Sequence, residues 1–277
     1  MHWSEIENIL HHILTAAAQT GAQLLVVFGI VFAVAIVLWF VSQGIRRVFS
    51  SRVGMAYYYF VAPGVACHET GHALGCLLTR TKIVEFVPFH PSPDGTLGYV
   101  SYREPTGLVG SMALFLISTG PVWFGSAVII GLSCLMGGTG FLWSVQASFP
   151  EDVSPATFKY LSSVFIAAFQ MLKNAVIVWH WKSFWTPLYL YAVFCIASEI
   201  TLSSPDLKSM WKGCVSIAVI MFIANLFQFT ARYLDAGIDW AKPHLFLVQV
   251  VLAFVLMVDV LFLLVAFLIT RFWRRKT

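Results

Sequence analysis

The sequence predicts an all-α polytopic membrane protein with six or seven transmembrane helices and a small β-hairpin after the second span. Three observations carry this. The 277 residues are 59% hydrophobic and 11% charged, with a mean hydropathy of +0.81, whereas soluble globular chains carry roughly 25% charged residues. Apolar stretches near the about 20 residues that a spanning helix needs recur along the whole chain. Residues 82–89 and 97–102 are β-rich runs joined by a Pro/Asp-Gly turn, which reads as a hairpin. No repeat, linker or soluble domain divides the chain.

In residues 1–21, Ile6, Ile9, Leu10, Ile13, Leu14 and Ala17 follow the i, i+3, i+4, i+7 rule. They predict an amphipathic helix at the membrane surface. On it His11 and His12 are adjacent and splay apart, which does not suit a metal. Glu5 and Glu7 replace the basic region of a signal peptide, so the first span is expected to be retained. Residues 22–54 read as that span, at 22–42, followed by a basic loop bearing Arg46, Arg47 and Arg52. Residues 55–210 form the expected core, with spans at 55–79, 108–136 and 184–202 and the hairpin at 82–102. Within it, residues 158–181 are ambiguous. Their polar stripe of Ser163, Gln170, Lys173 and Asn174 suits either a span with the stripe inward or an interfacial helix. Residues 211–277 hold the C-terminal spans, near 210–231 and 245–270, and a basic tail of Arg271, Arg274, Arg275 and Lys276.

The net charge of +4 is concentrated in those short clusters beside spans, a pattern that sets membrane orientation and argues against a nucleic-acid partner. The lipid bilayer is the expected surrounding. The 5 cysteines lie in or beside apolar segments, without CxxC spacing, and read as free thiols. The oligomeric state is not legible. With no organelle-targeting signature, the cytoplasmic membrane of a prokaryote is the expected location.

The second span contains Cys67-His-Glu-Thr-Gly-His-Ala-Leu-Gly75. On a helix, residues at i and i+4 share a face, so His68 and His72 converge on one metal and Glu69 can reach a water beside it. Two imidazoles and a third protein ligand leave one zinc position open for water or substrate. Glu69 is the expected general base. An ionised glutamate at mid-bilayer costs on the order of 3 kcal/mol, so these groups need partners there. A buried His-Glu network and an ion pathway are the competing explanations. Gly71 and Gly75 form GxxxG, read as helix packing.

The third ligand has candidates in His90, His180, Glu199, Asp206 and Asp259. Asp206 is preferred, because Pro205 should break the helix there and let a carboxylate turn to the metal. If it is not itself a ligand, Glu199 either orients a ligand from behind or pairs with Lys173 or a hydroxyl. Asp259, deep in the last span, is expected to face the bundle.

The HExxH helix, the β-rich loop after it, Gly120-Pro121 and Ser204-Pro-Asp206 together resemble the site-2 protease family of intramembrane zinc metalloproteases, over roughly residues 55–210. The resemblance implies one Zn2+ per chain on His68, His72 and Asp206, water activation by Glu69, and a transmembrane protein substrate. It departs from the family where Ser-Ser-Pro-Asp-Leu replaces an Asn/Pro-rich run ending in Leu-Asp-Gly, and no PDZ module is present. A substrate helix must unwind before hydrolysis, and the hairpin edge could accept the extended segment or simply cover the site. A seven-span order satisfies the positive-inside rule with the N-terminus outside. The family's parallel HExxH and Asp helices instead require residues 158–181 to be interfacial. A non-catalytic metal-binding scaffold and an ion or proton transporter remain the alternatives.

Overall fold

The long apolar runs of this chain become helices, seen in a computed structural model that describes residues 3–92, 95–137, 144–151, 153, 154, 157–175 and 184–274. Helix α1 (Trp3–Leu24) passes through a π-helical segment, Leu25–Gly29, into α2 (Ile30–Val53), together a 51-residue helix. At 1.5 Å per residue it is about 75 Å long. The break expected near residue 21 is therefore absent, and the arginines assigned to a loop lie in α2. Gly21 alone does not stop a helix, since an interior glycine costs only about 1 kcal/mol. Gly54 does stop it, by adopting φ +56°, a conformation that glycine reaches freely.

The apolar stripe of α1 stays exposed. Its polar side is anchored. Asn225 donates to Thr20 Oγ1 at 2.9 Å and to Gln23 Oε1 at 2.8 Å, and Gln23 donates to Asp235 at 2.7 Å. These bonds tie α1 to the junction of the last two helices.

The span expected at 55–79 is two helices, α3 (Met55–Phe60) and α4 (Ala62–Leu78), jointed at Val61. Pro63 falls in the first turn of α4, where a missing N–H is harmless. At its other end the Thr81 N–H reaches Cys76 O at 2.8 Å and the Arg80 N–H reaches Leu77 O at 3.1 Å, a Schellman stop. The predicted hairpin follows as β1 (Ile83–Val87) and β2 (Tyr99–Tyr102), antiparallel, with Phe86 opposite Val100 and a register irregularity between Ile83 and Glu85. The chain continues as α5 (Gly107–Gly137), α6 (Phe158–Lys173), α7 (Trp185–Glu199), α8 (Ser204–Leu226) and α9 (Gln228–Arg274).

Four of these helical stretches are long and apolar enough to cross a membrane: Trp3–Val53, Gly107–Met136, Ser204–Leu226 and Thr230–Leu268. Helices α4, α6 and α7, with 17, 16 and 15 residues, fall short of the about 20 that span the hydrocarbon core. Six or seven spans are thus not reached by length among the described residues. The α6 stripe does not point inward: Gln170 and Lys173 are exposed, while Val164, Ala167, Ala168 and Met171 are buried, with α9 packed beside the helix.

Glycines set the closest helix contacts. A Cβ on Gly71 would sit 2.6 Å from Pro121 N, and one on Gly75 would sit 2.7 Å from Ile117 Cα. The GxxxG pair therefore seats α4 against α5. On its other side α4 meets α7, where Gly64 abuts the Cys195 carbonyl. The remaining core gathers Tyr160, Phe246, Phe254 and Ile129 between α5, α6 and α9.

Candidate metal centre

Helix α4 carries His68 and His72 one turn apart, and their Nε2 atoms lie 3.1 Å from each other. Each ring is oriented by a backbone carbonyl, which can only accept. His68 Nδ1 donates to Glu199 O at 2.7 Å and His72 Nδ1 donates to Ile117 O at 2.8 Å. In its neutral form each ring would carry the proton on Nδ1 and turn an Nε2 lone pair toward the same point.

Asp206 completes that point. Its Oδ1 is 3.2 Å from His72 Nε2 and its Oδ2 is 3.7 Å from His68 Nε2. The carboxylate is held by the start of α8: Ser203 N–H donates to Asp206 Oδ2 at 2.8 Å, and the Ser203 hydroxyl reaches the same oxygen and accepts from Asp206 N–H. This is a capping box, with Pro205 in the first turn. The same carboxylate thus caps α8 and faces both imidazoles.

The ligand atoms of His68, His72 and Asp206 all lie within 4.8 Å of one another, the only such group of three among the described residues. Ligands about 2.0–2.1 Å from a tetrahedral centre stand about 3.3 Å apart. Two of the spacings, 3.1 and 3.2 Å, are near that edge, and the third, 3.7 Å, is wider. Two imidazole nitrogens and a carboxylate facing one another can hold a cation, and an N,N,O set of this kind would fit a divalent metal such as zinc.

Glu69 lines a cavity of about 620 Å³ together with His68, His72 and Asp206. The hairpin covers it: Leu97 to Val100 and Tyr102 contribute to the wall, and a Cβ on Gly98 would meet Glu69 Cγ at 2.9 Å. Burial pushes the Tyr102 phenol above its ordinary pKa, aided by the nearby Cys76 and Asp206, so it faces the cavity as a neutral hydroxyl. Trp39, Gln43 and Arg46 of α2 also line it.

Glu199 contributes through its backbone. Its carbonyl orients His68, while its buried carboxylate pairs with Arg46 Nη2 at 2.6 Å instead of with Lys173 or a hydroxyl. Ser42, one turn before Arg46, donates to Ser198 O at 2.8 Å, so α2 grips the last turn of α7 twice. Of the other proposed third ligands, His90 lies in the hairpin, its N–H donating to Leu97 O at 2.6 Å. Asp259 is fully buried in α9, without a hydrogen-bond partner among the described residues. Neither joins the cluster. His180 lies outside the described residues.

Sequence reasoning missed Arg46, Ser42 and the Ile117 carbonyl. The last had a legible signal. A helical carbonyl normally accepts from the N–H four residues on, and four residues after Ile117 stands Pro121. Comparison with protein-family models, curated proteins and solved structures found no match.

Proposed function

We propose that this chain is an intramembrane zinc endopeptidase that cleaves membrane-embedded protein segments. The single observation that carries the reading is the convergence of His68, His72 and Asp206 at metal-ligand spacing in a cavity that also holds Glu69. Three protein ligands leave one position open, the arrangement of catalytic rather than structural zinc sites. When bound, zinc acidifies a water and polarises a carbonyl. Glu69 takes the proton of the attacking water and delivers it to the leaving amine. Apart from Glu69, the chain's contribution is positional: two carbonyls fix the imidazoles and the α8 cap fixes Asp206.

The protein crosses the bilayer several times in this reading, with α4 and α7 as shorter elements enclosed by the longer helices. An extended substrate segment enters beside the hairpin. The substrate is a transmembrane protein, and a prokaryotic cytoplasmic membrane is its proposed setting.

A non-catalytic metal-stabilised scaffold is the second reading. It is favoured by Asp206, which would let a metal fasten α4 to the cap of α8. Purified wild-type protein should hold about one zinc per chain, and His68→Ala or His72→Ala should lose it. Glu69→Gln should keep zinc and stop cleavage of single-span membrane proteins co-reconstituted in proteoliposomes. If Glu69→Gln cleaves them at the wild-type rate, the endopeptidase reading is wrong. Zinc uptake with no turnover by wild type on a broad substrate panel would favour the scaffold.

A further inference from the structure

We propose that Pro121 is a positioning residue for the metal centre, reserving the Ile117 carbonyl for His72 by lacking an N–H. The proposal rests on the zinc reading above. Helix α5 runs without interruption through Pro121. In a regular helix the N–H of residue 121 would close onto Ile117 O, and proline has none. That freed oxygen accepts His72 Nδ1 at 2.8 Å.

The surrounding residues serve the same contact. Gly71, beside His72, faces the backbone of Gly120 and Pro121, and Gly75 faces Ile117. With no Cβ on Gly71 or Gly75, α4 comes close enough for a ring nitrogen to reach a main-chain oxygen. Ile117 is fully buried and His72 nearly so, so water cannot easily replace this acceptor. The other ligand uses the same device by different means. Helix α7 ends at Glu199, and the Ser203 N–H that would close onto Glu199 O in a continued helix is bonded to Asp206. The carbonyl left over accepts from His68. Each imidazole is thus held by a carbonyl that its helix does not use, one released by a helix end and one by a proline inside a helix.

Pro121→Ala restores an N–H that competes for Ile117 O. It removes a ring and adds a helical hydrogen bond, so the metal-free protein should be no less stable. Metal retention should fall, because partners that orient a ligand histidine are worth about 10- to 100-fold in affinity. The experiment compares purified wild type and Pro121→Ala for zinc content, the rate of zinc loss to a chelator, the cobalt absorption spectrum, and melting of the metal-free chains. The expected result is about tenfold faster zinc loss and a weakened tetrahedral cobalt band, with metal-free melting unchanged or raised. Zinc loss within threefold of wild type overturns the proposal. So does a parallel fall in metal-free melting or a failure to fold, because Pro121 would then be acting through packing. A wild-type chain that takes up no zinc sinks the metal reading itself, and this inference with it.

Discussion

Asp206 Oδ1 lies 3.2 Å from His72 Nε2, while Asp206 Oδ2 is bound by the backbone of its own helix start. One carboxylate therefore closes the candidate metal-ligand set and caps α8, and the two duties can be separated. Asp206→Asn keeps an oxygen for the Ser203 N–H but loses the charge. Its metal-free melting should stay near wild type while zinc affinity drops at least about tenfold. Asp206→Ala loses both, and metal-free stability should fall by about 1 kcal/mol. Zinc content after dialysis against a chelator, with unfolding of the metal-free proteins, checks both.

Arg46 and Glu199 form a pair with unequal exposure, the arginine side chain 32% accessible and the glutamate 5%. Arg46→Met strands a buried carboxylate and should destabilise the chain by about 2 kcal/mol, below the 3–5 expected for a fully buried pair. Arg46→Met combined with Glu199→Gln should recover most of that loss. Denaturant unfolding in one detergent measures the cycle, and a double variant no more stable than Arg46→Met contradicts it.

Gly71→Ala places a methyl group 2.6 Å from Pro121 N, where only backbone can yield, whereas a Cβ on Gly131 meets nothing within 4 Å. Gly71→Ala should cost about 1–3 kcal/mol. Gly131→Ala should be neutral or stabilising by up to about 1 kcal/mol. Thermal unfolding of the two variants separates close helix packing from intrinsic propensity.

The exposed stripe of α6 makes a topological statement. In a cysteine-free background, cysteines at Gln170 and Lys173 should react with a membrane-impermeant maleimide, from one side only. Cysteines at Val164 and Ala168, buried in the bundle, should react only after denaturation. Unreactive positions 170 and 173 in intact membranes would place the stripe in lipid or protein and argue against an interfacial helix.

The three residues of HExxH were legible in the sequence because their convergence is local: a helix puts i and i+4 on one face wherever it lies. The hairpin was legible for a similar reason, since turn residues and alternation act over a few positions. Asp206 could be proposed because Pro205 marks a helix boundary, although its double duty needed the Ser203 backbone. Helix extent was misjudged, and among the described residues four helices, not six or seven, are long and apolar enough to span. Hydropathy reports composition but not where a helix yields, so the joint at Val61 and the continuity through Gly21 were not foreseen. The orientation of the site lay further out of reach. Ile117 and Glu199 act through carbonyls, which every residue has, so their side chains carry no signal of the role. Arg46 reads as a topology charge until α2 is seen against α7. By itself the sequence determined the membrane character and the chemistry of the candidate ligands, both consequences of residue type and short-range spacing. The tertiary structure decided which carbonyls, charge and cap hold those ligands in place, because these contacts depend on how closely α2, α4, α5, α7 and α8 approach one another.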